Sequence, residues 1–352
     1  MAKLDFFDAE TVDRQTPAHP WKALFASAFA GAALLTLAFE AHCRREGYLA
    51  GDFKNTPSLW AQEFRKATGA RTVLLGASRT LFDIDLDVWE EATGDRPIQL
   101  ALEGTSPRRP LRMLAEREDF RGLVVLDVTP PIFFTNFEYR DDVFEFIADE
   151  TPARRSEHRI SMALERVFAF IEDQTRPKKV IYNALFPVRP GMVQRYDVLK
   201  LEIIDADRNS EMWARVADDE AYQRRAQRAW QYGMEQFPVS PVSDEAALKE
   251  ILDVKTDIDR IRARGGEVVL VQHPYDSEYE PEEGVFPRAR FFDRLARETD
   301  SVSVTFFDHP ALQGYWLPEW SHIEARDAER YTRAFAQIVA EAMKSGGEEA
   351  GL

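Results

Sequence analysis

Two short stretches hold the side chains best suited to covalent chemistry: Gly76-Ala77-Ser78-Arg79 and Leu317-Pro318-Glu319-Trp320-Ser321-His322-Ile323. A serine hydroxyl is a weak nucleophile until a nearby base removes its proton. Histidine can be that base near neutral pH. A carboxylate three residues ahead of it can fold back to hold the imidazole tautomer and stabilise the imidazolium formed in reaction. Ser78 also stands where an apolar run gives way to a helix, so its backbone N–H would favour developing negative charge. Each stretch has a plainer reading. Ser78 could only cap a helix, and His322 could be a surface-loop histidine.

The surrounding elements must bring these distant stretches together. Thr72 to Gly76 is a continuous apolar run of the kind found in buried parallel strands. A helix is predicted from about Asp85 to Thr93, closed by Gly94. A second strand spans Pro97 to Leu102, and a third Leu123 to Val128, stopped by Pro130-Pro131. Between them a helix starts near Pro107 and Pro110. From about 133 to 244 the sequence turns aromatic, charged and mostly helical, which reads as a large helical insertion. The pattern then resumes with a helix over about 244–264, a strand at 268–271, a helix over 288–298, a strand at 303–307 and a last amphipathic helix over 324–343. Alternating strands and helices imply an α/β domain with a flavodoxin-like, three-layer parallel sheet. In such sheets chemistry gathers beyond the carboxyl ends of the strands. Those loops hold Ser78, Gly104, Thr129, His273 and the segment 308–322.

Lesser candidates line the same edge. Arg79, Thr105 and His273 could contact a substrate there. Asp308-His309 could form a second acid–histidine pair, although loop hydrogen bonding is the simpler reading. Ser106-Pro107-Arg108-Arg109 could hold an anion, or be a solvated turn. Metal-ligand clusters, Gly-rich phosphate loops and dinucleotide fingerprints are missing from the sequence, so no metal and no cofactor are expected.

Of the 352 residues, 45% are hydrophobic and 30% charged, and the formal net charge is −16. That charge argues against a nucleic-acid partner, which needs a basic face. The single cysteine, Cys43, allows neither an internal disulfide nor a thiolate zinc site. Its neighbours do not resemble a lipoprotein signal.

Ala23 to Phe39 is an uncharged run of 17 residues, at the short end of a membrane span, with Trp21 and Lys22 before it and Glu40, His42, Arg44 and Arg45 after it. We expect a single-pass anchor at 21–42, preceded by a tail (1–20) and followed by a connector (43–70), the main domain (71–345) and a flexible tail (346–352). A cleaved signal peptide and a buried soluble helix are the alternatives, the first disfavoured by the long acidic leader. Basic residues stand on both sides of the run. The positive-inside rule therefore leans slightly against placing the main domain outside.

Taken together, the serine after the first strand and the acid-x-x-histidine before the last helix resemble the SGNH (GDSL-type) hydrolase superfamily, over roughly 71–342 apart from the insertion. The resemblance implies that Ser78 is the nucleophile, His322 the general base and Glu319 the acid, where the family usually has aspartate. It implies an oxyanion hole from the N–H groups of Ser78 and Gly104. The family's asparagine after the third strand is replaced by Asp127-Val128-Thr129, which leaves Thr129 or Thr105 as substitute donors. The serine motif reads Gly-Ala-Ser-Arg instead of Gly-Asp-Ser-Leu. These departures are similar to membrane-anchored branches that work with membrane-bound O-acyltransferases on cell-envelope polymers, on the outer, periplasmic side of the bacterial inner membrane. Two main functions follow: an esterase or O-acyltransferase, or a non-catalytic accessory subunit of a membrane complex on the same scaffold. A flavodoxin-like ligand-binding module is a third.

Overall fold

A computed structural model describes residues 19–172, 200–236, 238–276 and 284–349, together with Leu185. Its centre is a five-stranded parallel sheet in the order β2-β1-β3-β6-β7, with β1 Val73–Leu75, β2 Ile98–Gln99, β3 Leu123–Asp127, β6 Glu267–Gln272 and β7 Val302–Thr305. The register runs Val73 to Val124, Val124 to Val268 and Val269 to Val302. Side chains alternate across a strand, and both faces here are apolar, so both must be covered. Val73, Leu75, Val124, Leu126, Val268 and Leu270 face one core, and Leu74, Val125, Val269, Val271 and Val304 face the other.

Helices supply the two outer layers. We number α1 Trp21–Arg45, α2 Pro57–Lys66, α3 Ser78–Asp83, α4 Leu86–Thr93, α5 Arg108–Glu116, α6 Pro130–Thr135, α7 Asp142–Ala148, α8 Pro152–Glu165, α9 Ala214–Asp218, α10 Glu220–Gln236, α11 Asp244–Arg262, α12 Phe292–Thr299 and α13 Ala325–Glu349. Leu111 of α5, Ile258 of α11 and Leu295 of α12 pack on the first face; Trp89 of α4 and Tyr331 and Phe335 of α13 pack on the second. The local signals explain the boundaries. Asp85 caps α4 by accepting from Asp87 and Val88 N–H, and Gly94 ends it at φ 79°. Ser243 accepts from Ala246 N–H at the start of α11.

Two segments depart from the expectation. The expected connector is part of the domain: α2 packs with Trp60 fully buried, its indole N–H donating to Leu100 O at 2.9 Å. Leu59, Trp60 and Ala61 are consecutive buried residues, which a 3.6-residue periodicity does not mark. The insertion between β3 and β6 is not only helical. It contains the antiparallel hairpin β4 (Glu202–Ile204) and β5 (Ser210–Met212). Arg208, at its turn, is fully buried and donates to Gln99 O at 2.9 Å and Ala101 O at 2.8 Å, which fastens the hairpin to the end of β2.

α1 is 25 residues long, about 38 Å at 1.5 Å per residue, and is long and apolar enough to cross a membrane. Its apolar side chains are largely uncovered, Phe29 being 78% and Leu35 73% exposed. At its far end Glu40 accepts from Ala169 and Phe170 N–H, both at 3.1 Å, so the helix is fixed to the domain.

Candidate functional site

The chain leaves β1 toward β2 on one side and returns to place β3 on the other, so the strand order reverses between β1 and β3. Crevices for ligands form outside the carboxyl ends of strands at such a switch. Ser78 starts α3 directly beyond β1, and Asp127 to Thr129 end β3 beside it. The two strand ends are in close contact there. A methyl on Gly76 would lie 2.0 Å from Thr80 Oγ1 and 2.8 Å from Asp127 Cβ, so only glycine fits.

The loop before α13 comes to the same place. Glu319 is fully buried, and its Oε1 accepts both His322 backbone N–H and lies 2.8 Å from His322 Nδ1. Burial works against ionising Glu319, but the adjoining His322 and the donors on its two oxygens outweigh it and hold the carboxyl below its ordinary range. A proton on Nδ1 of neutral His322 leaves Nε2 as the basic nitrogen. Nε2 is buried and has no hydrogen-bond partner among the described residues.

α3 and this loop meet directly. The Phe82 ring stacks on the His322 imidazole at 4.3 Å between centroids, and Phe82 lies one helical turn beyond Ser78. Arg79 Nε approaches Ser321 Oγ at 3.4 Å, and Ile323 N–H donates to Asp83 at 2.9 Å. Ser78 is partly exposed while its neighbours Ala77 and Arg79 are buried. Through Phe82, Arg79 and Asp83, α3 packs against the Glu319–His322 loop, and His322 Nε2 has no hydrogen bond to Ser78 or to any other described residue.

The oxygen of Glu319 that faces away from His322 is held by a residue the sequence did not point to. Trp230, in α10 of the insertion, donates its indole N–H to Glu319 Oε2. Gln223 and Gln227, on the same face of α10, each donate to Pro318 O at 2.8 Å. The spacing 223, 227, 230 is one stripe of a helix. It could have been seen in the sequence, but nothing there named its target.

The remaining candidates are placed as follows. Thr129 donates its hydroxyl proton to Asp127 Oδ2 at 3.1 Å, so that proton is turned toward β3 and not toward an oxyanion. Thr105 is buried; its hydroxyl donates to Glu103 O and accepts from Arg140 N–H, which keeps it within its own loop. Gly104 has φ 54°, and its carbonyl accepts from Tyr139 N–H. His273 is buried, with Nδ1 2.8 Å from Tyr331 Oη. Burial and then the nearby Arg79 charge depress its pKa to about 3, so it is neutral at physiological pH. Arg79 lies over the Tyr275 ring at 4.8 Å. Burial raises Asp127 to about 6 and Asp83 well above its ordinary range, against the pull of Arg79 on both. Asp308 pairs with Arg288 instead of His309, and Arg108 pairs with Glu250 on α11 instead of forming a solvated turn.

No family model and no curated protein sequence matches this chain.

Proposed function

We propose that the chain is a membrane-anchored SGNH-like serine esterase or O-acyltransferase, with its domain on the periplasmic side of a bacterial inner membrane and an ester of the cell envelope as substrate. The observation that carries the reading is the buried Glu319–His322 pair with Nε2 unpartnered, set against the helix that Ser78 begins. In this mechanism Ser78 Oγ attacks the ester carbonyl carbon while its proton passes to His322 Nε2. Glu319 stabilises the imidazolium, which returns the proton to the departing alcohol. Water or a carbohydrate hydroxyl, deprotonated by the same imidazole, then takes the acyl group from Ser78. The backbone N–H groups of Ser78 and Gly104 serve the oxyanion. The reading requires Ser78 Oγ and Nε2 to meet in the substrate complex, and catalytic hydrogen bonds commonly tighten at that stage.

A specific observation favours a second reading, the accessory subunit. The donor that asparagine would supply is not replaced, because Thr129 turns its proton to Asp127; one lost oxyanion donor costs about 2.7–4 kcal/mol of transition-state stabilisation. A fluorophosphonate probe on the purified full chain separates the two. Covalent labelling of wild type that Ser78→Ala abolishes supports the enzyme. Absence of labelling in wild type sinks it and leaves the scaffold.

A further inference from the structure

α8 has two unlike faces. Met162 and Glu165 are buried against the domain. On the opposite side Ile160 is 64% exposed, Leu164 44% and, just past the helix end, Val167 56%. Residues spaced by four and three share one stripe, here about 10 Å long. Soluble helices put such a stripe inward and their charges outward. By 100° steps Arg155, Arg159 and Arg166 point more than 100° away from the centre of this stripe, and Arg155 pairs with Glu150 at 2.8 Å, so the stripe stands on its apolar side chains.

The position of this stripe says what it meets. Val167 O accepts from Arg44 at 3.1 Å, and Phe170 packs on Phe39 at 6.0 Å between centroids. Phe39 ends the uncharged run of α1. Hence the exposed apolar surface of α1 passes directly into that of α8 at the level where α1 would leave the hydrocarbon.

We propose that α8 is a membrane-surface contact, with Ile160, Leu164 and Val167 entering the headgroup–acyl boundary of the bilayer that α1 crosses. This rests on α1 being the membrane span and is independent of the chemistry assigned to Ser78. Interfacial helices bury an exposed apolar face of this kind about 5–10 Å into that boundary.

The test uses the full chain in phosphatidylglycerol-containing vesicles. Leu164→Cys and, separately, Ile160→Cys are labelled with an environment-sensitive fluorophore; the parent chain, whose Cys43 is buried, is the blank, and Glu220→Cys on exposed α10 is the control. Emission at both α8 positions should shift to shorter wavelength and be quenched by nitroxides carried on lipid chains, with neither effect at 220. Quenching by aqueous iodide instead overturns the proposal. So does a label shielded from both quenchers, which would mean a protein surface covers the stripe. A chain that fails to float with the vesicles overturns the anchor and this contact together, while labelling of Ser78 by fluorophosphonate is judged separately.

Discussion

Trp230 holds the outer oxygen of Glu319 while His322 holds the inner one, so the carboxylate is pinned from opposite sides by two elements distant in the chain. A hydrogen bond to a buried charge is worth about 1.5–3 kcal/mol. Trp230→Phe keeps the ring and removes the N–H. Fluorophosphonate labelling of Ser78 is expected to slow about tenfold or more. Equal rates would mean that the indole fills space and no more.

Glu319→Gln tests the acid itself. The amide can still accept from His322, but the charge that supports the imidazolium is lost. In a serine triad the corresponding change lowers the rate by about 10⁴. We expect a fall of two to four orders, roughly, in labelling rate, together with a lowered melting temperature, because the amide NH2 must face the Trp230 or His322 donor.

His273 governs a distinct pH window. Its folded pKa, near 3, lies below the ordinary 6.5. Below pH 6.5 the unfolded chain takes up a proton that the folded chain refuses, so stability is lost as pH falls from 6.5 toward 3. At pH 5 the loss from this group is about 2 kcal/mol. His273→Gln keeps a partner for Tyr331 and removes the titration. Urea unfolding should place the variant below wild type at pH 7.5 by about 1 kcal/mol and level or above it at pH 5. A difference constant across pH would refute the assignment.

Gly76→Ala places a methyl against Thr80 and Asp127. Neither neighbour is a flexible chain end, so β1 and β3 must separate. Thermal unfolding should show a loss of about 3 kcal/mol, at the upper end for an overpacked core. Ser78 labelling should fall with it, because α3 begins two residues on.

Much of the sheet was legible because its signal is local. Thr72 to Gly76 and Leu123 to Val128 are apolar runs with few other uses, and Gly94 marks the end of α4 without reference to the rest of the chain. The Glu319–His322 contact was legible for the same reason, the partners being three residues apart. What escaped were relations across distance. Arg208 reads as a surface charge until β2 offers its carbonyls. Trp230 sits in an arginine- and glutamine-rich stretch that gives no sign of a carboxylate 89 residues later. Thr129 was a plausible oxyanion donor by position, but only the fold shows its proton directed to Asp127.

The order of synthesis gives the α10 contacts a further meaning. Ser78 emerges early, while its imidazole and the carboxylate beneath it come from near the opposite terminus. Trp230 lies between them in the chain and is made before the loop it holds. If Ser78 and His322 act together as proposed, a nascent chain still attached to the ribosome has a serine with no base beside it. On the proposed reading, reactivity begins only when the loop before α13 docks, after β7 has been made.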